Sequence, residues 1–174
     1  IGPADALIGV AASGRTPYTV AAVKRAKELG AFTVGIANNH GAPLLSVGDV
    51  GVLLDTGPEV LAGSTRLAAG TAQKAALNAL STAVLVRLGG AYDNLMVGMR
   101  PLNAKLKKRA VEIVAQATGL ERAEAATVLD DAGGDIRTAI VMAGTGADAR
   151  AATRLLEANG HSVRAAIAAG GPNE

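Results

Sequence analysis

Two short apolar runs bracket a helical pattern, and this arrangement constrains the chain more than any other feature. Ala6-Leu7-Ile8-Gly9-Val10 reads as a buried strand, and Tyr18 to Leu29 carries apolar residues at helical spacing. Gly30 stands where a helix favours a left-handed end. Ala31-Phe32-Thr33-Val34-Gly35-Ile36 then reads as a second buried strand. A strand–helix–strand unit this compact makes parallel strands and points to an α/β fold. Asp49-Val50-Gly51-Val52-Leu53-Leu54 supplies a third strand. Gly57-Pro58-Glu59 opens the longest helical pattern, to about Leu88, with Pro58 suited to the first helical position and Glu59 to the positive end of the dipole.

Two faces of that long pattern carry expectations. Leu77, Leu80, Val84 and Leu88 step by three and four residues and predict a core-facing stripe. Glu59, Gly63, Arg66, Gly70 and Lys74 recur at helical spacing on another face. Glycines inside a helix cost about 1 kcal/mol each. Two of them on one face point to close approach by a ligand or a partner helix, or to a break near Gly63.

Between the first strand and its helix lies Ala11-Ala12-Ser13-Gly14-Arg15-Thr16-Pro17. A strand, a tight turn and a helix N-terminus make an anion site, because the first-turn amides lack internal partners. Hydroxyls of Ser13 and Thr16 and the Arg15 guanidinium stand beside those amides. The stretch fits a phosphate cradle with a sugar phosphate as its guest. It equally fits a capped helix start with Thr16 as N-cap and Pro17 at the first position, and the two readings are compatible. With one glycine and no lysine the turn is not a Walker loop, and no dinucleotide fingerprint is present. Asn38-Asn39-His40-Gly41 follows the second strand at the sheet edge where α/β proteins bind ligands, although an Asn/Gly turn needs no further reason.

Other function classes are excluded or left without support. The formal charge is +2, and no Lys/Arg block is interleaved with aromatics, so nucleic acid has no stacking platform. No apolar run reaches the roughly 18 residues of a membrane span. Without cysteine there is no disulfide framework or thiolate metal site, which fits the cytoplasm. His40 and His161 stand in no metal-ligand spacing and suit surface or capping roles. Neither has a nucleophile partner for a Ser-His-Asp triad. With 22 glycines and apolar content dominated by small aliphatic side chains, the core is expected to bring backbones close. The chain begins at Ile1 with no visible targeting segment, as a processed protein or the later part of a longer one would.

Tyr92 to Pro101 reads as a linker, and Ala-rich helices begin at Asn103. They contain a repeat spaced by 27 residues. Val128-Leu129-Asp130 matches Leu155-Leu156-Glu157, Gly133 matches Gly160, and Asp135-Ile136-Arg137 matches Ser162-Val163-Arg164. Each copy is a helix, a glycine turn and a second helix, with Asp135 or Ser162 as N-cap. Two copies make a small bundle, not a solenoid. It resembles ubiquitin-associated three-helix modules, and a packing or dimer-stabilising appendage suits it best. The expected domains are 1–100 and 101–174.

The stretch from Val10 to Tyr18 resembles the second phosphosugar loop of sugar isomerase domains, in the form used by N-acetylmuramic acid 6-phosphate etherases. Gly57-Pro58-Glu59-Val60-Leu61, Gly63-Ser64-Thr65-Arg66-Leu67 and Ala69-Gly70-Thr71-Ala72-Gln73-Lys74 resemble the family's next signature. Leu77-Asn78, Leu80-Ser81-Thr82, Asn94-Leu95-Met96-Val97 and Asn103-Ala104-Lys105-Leu106 extend the likeness, and the helical repeat is similar to the family's C-terminal appendage.

This resemblance implies a three-layer α/β/α sheet, its N-terminal half outside this chain, followed by a small helical domain. It implies a cofactor-free lyase of cell-wall sugar recycling that cleaves the lactyl ether of N-acetylmuramic acid 6-phosphate. Elimination followed by addition of water gives N-acetylglucosamine 6-phosphate and D-lactate. One base must take the proton beside the open-chain carbonyl and one acid must protonate the departing oxygen. The family's two glutamates for those roles match nothing in this chain and are expected upstream, so the chain alone is expected to be inactive. Ser13, Gly14, Arg15, Thr16, Asn39, Ser64, Thr65 and Arg66 are implied to bind substrate. Glu59 matches a carboxylate position used in related domains and is the catalytic candidate. A homodimer is implied as well. Two departures stand out: Ala68 replaces a usual basic residue, and His40 a common proline. A non-catalytic sugar-phosphate regulator and an aldose–ketose isomerase with Glu59 as base are the alternatives.

Overall fold

The computed structural model describes residues 1–171, and the chain falls into two compact units, Ile1–Leu80 and one from Ser81 onward. The first unit opens with β1 (Ala6–Val10), α1 (Pro17–Glu28), β2 (Phe32–Ala37), α2 (Leu44–Val47) and β3 (Val50–Leu53). The three strands form one parallel sheet in the order β1-β2-β3. Thr16 and Pro17 occupy the N-cap and first helical positions of α1, but the Thr16 side chain makes no capping bond. Its hydroxyl is left for other use.

Glycine explains how α2 sits on the sheet. The strand register pairs Gly9 with Gly35 and Gly35 with Gly51, a row of three across the sheet. A Cβ on Gly35 would stand 1.9 Å from the Leu44 carbonyl oxygen, and one on Gly51 2.0 Å from that of Leu45. On Gly9 it would stand 2.4 Å from Val23 Cγ2 of α1. The expected close approach of backbones is therefore real, and it occurs between helix and sheet. Leu44 and Val23 are fully buried there. On the opposite face the alternating residues Ile8, Phe32 and Val50 remain exposed.

At the N-terminal edge of the strands, Asp49 accepts from the Thr33 backbone N–H at 2.8 Å and the Thr33 hydroxyl at 2.7 Å. Lys27 Nζ lies 3.1 Å from its other oxygen. The Thr33 hydrogen bonds, and then Lys27, hold the Asp49 carboxyl below its ordinary value of 3.8.

The long helix differs from expectation at its start. It is α3, Ala68–Arg87, and residues 57–67 are not helical. Gly57 and Gly63 take φ of 65° and 81°, left-handed values that a continuing helix cannot contain. A turn follows, with the Ser64 N–H donating to Leu61 O at 2.9 Å and the Leu67 N–H to Ser64 O at 3.2 Å. Pro58 and Glu59 therefore open no helix. The expected face of Glu59, Gly63, Arg66, Gly70 and Lys74 does not form, since only Gly70 and Lys74 lie on α3. Gly63 has open space around it, so its backbone angle, not a close neighbour, accounts for it.

The apolar stripe of α3 is also not core-facing in this chain. Leu77, Leu80, Val84 and Leu88 are 37%, 40%, 47% and 63% exposed. Leu85 and Val86, which lie off that stripe, are each 53% exposed as well, so spacing identified apolar residues here but neither a single face nor what covers it.

In the second unit, β4 (Ala91–Tyr92) and β5 (Leu95–Met96) pair antiparallel as a tight hairpin. The passage read as a linker is thus structured, and Val97, 1% exposed, belongs to the helical core. Arg164 stacks 5.6 Å from the Tyr92 ring centroid and pairs with Asp93 at the hairpin tip. Five helices follow: α4 (Ala104–Thr118), α5 (Arg122–Asp131), α6 (Ile136–Thr145), α7 (Ala149–Ala158) and α8 (Val163–Gly170). The repeat is α5–α6 and α7–α8. Its caps form as expected, with the Thr138 N–H donating to Asp135 Oδ1 at 2.8 Å and the Ala165 N–H to Ser162 Oγ at 3.3 Å. Ala110, Val114, Ile136, Ile140 and Val163 fill the core between the helices. Residues 172–174 of the expected helical domain lie outside the described residues. No helix among the described residues is long and apolar enough to cross a membrane.

Candidate functional site

Parallel strands all end at one edge, so the loops after β1, β2 and β3 converge there. The first is 11–16. Gly14, with φ of 59°, turns the chain, and its N–H donates to Ala11 O at 2.9 Å. A Cβ at this position would lie 2.5 Å from that of Ala42 and 2.7 Å from that of Ala37, so only glycine fits. The Arg15 N–H donates to Ser13 Oγ at 3.2 Å. Ser13, Arg15 and Thr16 are exposed and Gly14 is buried. The amides of Tyr18 and Thr19, in the first turn of α1, meet no acceptor among the described residues. Exposed hydroxyls and a guanidinium thus stand beside amides without acceptors, a set suited to a dianion.

Two asparagines fix this loop to its neighbours. The backbone N–H of Asn38 and the side chain of Asn39 both donate to Ala12 O, at 3.0 and 2.9 Å. The expected ligand residue Asn39 therefore spends one amide hydrogen on the loop itself. Asn38, read from sequence only as part of the turn after the second strand, also donates through Nδ2 to Leu54 O at 2.8 Å and accepts from Gln73 Nε2 at 2.7 Å. The only sequence signal for it was its place directly after a buried strand.

The loop after β3 carries the acidic groups. Asp55 accepts from His40 Nε2 at 2.9 Å and from the Gly57 N–H at 3.2 Å. The His40 contact, and then the Gly57 N–H, lower the Asp55 carboxyl from 3.8. His40 is exposed, as expected of a surface histidine, and ties the β2 exit to the β3 exit. Glu59 reaches forward instead of capping its own segment: its two oxygens accept from the Ala68 and Ala69 N–H groups at 2.8 and 3.0 Å. A carboxylate on a helix N-terminus was the expectation, and the helix is α3, nine residues on.

Ser64, Thr65 and Arg66 form the turn immediately before α3, with Thr65 O accepting from the Gly70 N–H at 2.8 Å. Among the described residues no hydrogen bond joins them directly to 13–16. The link runs through Gln73, Asn38 and Ala12. No cluster of three His, Asp or Glu able to hold a metal occurs among the described residues. An apolar cleft of about 340 Å³ lies in the second unit, between Leu85 and Val86 of α3 and Ala91 and Met96 of the hairpin. Its one charged wall residue, Asp93, is engaged by Arg164, so it offers no comparable chemistry.

Residues 1–83 match the SIS domain. A protein of Deinococcus radiodurans named N-acetylmuramic acid 6-phosphate etherase is 58% identical over 142 residues, 82% of this chain and 47% of the relative. Proteins of the same name from Rubrobacter xylanophilus and Symbiobacterium thermophilum are 56% and 52% identical, covering 81% and 80% of this chain. The chain spans about half the length of these curated relatives.

Proposed function

We propose, from the premise that residues 1–83 belong to the SIS domain family and that the chain is a relative of the N-acetylmuramic acid 6-phosphate etherases, that it supplies the phosphosugar-binding part of such an etherase. The observation that carries this is the loop 13–16 at the C-terminal edge of the sheet, with exposed hydroxyls and Arg15 beside the open amides of α1. In this reading Ser13, Gly14, Arg15 and Thr16 hold the 6-phosphate, which releases bound water and gains charge-assisted hydrogen bonds. Asn39 keeps one amide hydrogen for the sugar. Ser64, Thr65 and Arg66, at the start of α3, line the sugar side.

The lyase chemistry needs a base for the carbon-bound proton and an acid for the lactate oxygen. Glu59 is the catalytic candidate of this chain, but both its oxygens hold the first turn of α3. We assign it first to positioning that turn; proton transfer would require it to release Ala68 or Ala69. The acid and base are assigned to residues outside this sequence. A sugar-binding part followed by a helical part, with the boundary before the hairpin since Val97 packs in the helical core, a homodimer and a cytoplasmic setting go with the same reading, and the exposed apolar residues of α3 support a subunit contact.

Calorimetric titration of this chain with N-acetylmuramic acid 6-phosphate tests the proposal. Binding is expected, with a loss of about tenfold or more when the phosphate is removed or Arg15 becomes Ala. Equal binding of the unphosphorylated sugar overturns the assignment of the loop. No D-lactate is expected, and its release by this chain alone would return the proton transfers to Glu59.

A further inference from the structure

Asn38 is a three-way junction. It follows β2, and its backbone N–H grips Ala12, the residue before Ser13, at 3.0 Å. Its Nδ2 grips Leu54 at the exit of β3 at 2.8 Å, and its Oδ1 takes the Gln73 amide of α3 at 2.7 Å. The side chain is half-buried and acts as donor and acceptor at once. Aspartate would lose the donor and leucine both groups. Breaking one arm would leave a partly buried amide or carbonyl without a partner, which costs more than the bond contributes.

The two groups of residues read above as ligand-binding, 13–16 and 64–66, lie on separate segments with no direct hydrogen bond between them among the described residues. Segment 64–66 leads straight into α3, whose first turn Glu59 holds and whose Gln73 docks on Asn38. Asn38 is therefore the hydrogen-bonded route from one group to the other. We propose that Asn38 and Gln73 are positioning residues that set the phosphate loop and the start of α3 relative to each other, so that a sugar phosphate bound at 13–16 also orders the first turn of α3. This rests on the phosphosugar reading of the loop.

The test uses this chain, Asn38→Ala, Gln73→Met, their double variant and Gln73→Lys. Met keeps length and helix preference but has no donor, whereas Lys restores one. Affinity for N-acetylmuramic acid 6-phosphate is expected to fall about tenfold in each single variant. The double variant should fall no further than the worse single, and Lys should recover most of the loss. Ligand should slow hydrogen exchange at the Ala68 and Ala69 amides in the parent and not in Gln73→Met. A purely structural role would lower melting temperature while leaving affinity and this exchange response unchanged, and that result overturns the proposal. So do losses that multiply in the double variant. If the parent fails to bind the sugar phosphate, the phosphosugar reading falls. The ligand-free arm then still decides the positioning: Gln73→Met must speed exchange of the Gly14 and Leu44 amides, which are bonded to Ala11 O and Gly14 O. Unchanged exchange there refutes the coupling.

Discussion

Single residues divide this chain into those whose role follows from neighbours in sequence and those whose role follows from distant partners. Pro17, Asp135 and Ser162 act within a few positions, and each is legible as a helix-start residue or cap. Glu59 was legible as a helix-dipole partner, but the helix it serves starts nine residues later. Asn38 and Asp49 were not legible, because their partners lie 16 to 35 positions away. Asp49 also carries a pH consequence. Its folded carboxyl titrates below 3.8, so the unfolded chain takes up the proton first as pH falls. The stability it contributes is complete above that value and is lost as pH drops through the lower folded one. Asp49→Asn is therefore expected to flatten the acid limb of the stability–pH curve below about pH 4, measured by urea midpoints from pH 6 to pH 2.5. An acid limb as steep as the parent's would remove Asp49 from the account.

Among elements, strands and caps were readable because alternation, turn residues and helix starts are local signals. The sequence 57–59 carries a helix-start signature, yet left-handed glycines at 57 and 63 break the run before α3 begins. The hairpin of β4 and β5 was missed because two-residue strands leave too little alternation to see. The stripe on α3 shows the limit most clearly, since spacing reveals apolar residues but neither a single face nor its cover. Leu80→Ala, at an exposed position, is expected to cost less than about 1 kcal/mol in this chain. Ile140→Ala, 1% exposed inside the helical bundle, is expected to cost about 2–5 kcal/mol. Guanidinium unfolding of the two variants measures the contrast, and comparable losses would mean that α3 is packed in solution.

At the scale of the whole molecule there are two cores, and the chain's few aromatic side chains report on them separately. Tyr92 lies in the second unit beneath Arg164, while Tyr18 of the first is 84% exposed. Gly35→Ala would drive a methyl group into the Leu44 carbonyl, costing the first unit about 1–3 kcal/mol. Its loss of secondary structure by circular dichroism should shift to lower urea, while the Tyr92 fluorescence transition stays in place. A joint shift of both would show that the two units unfold as one.

The row of Gly9, Gly35 and Gly51 also bears on the order in which the chain can fold. A helix of four residues has no stability of its own, so α2 depends on β2 and β3 lying side by side, where Gly35 and Gly51 receive its backbone. The loop that leads into α2 contains Asn39, His40 and Gly41, and its anchoring to Ala12 and Asp55 must follow the same sequence of events. The ligand edge therefore depends on a sheet assembled from non-local strands before its loops can take their final positions. A short apolar strand run can be made before the next strand leaves the ribosome; the binding edge cannot.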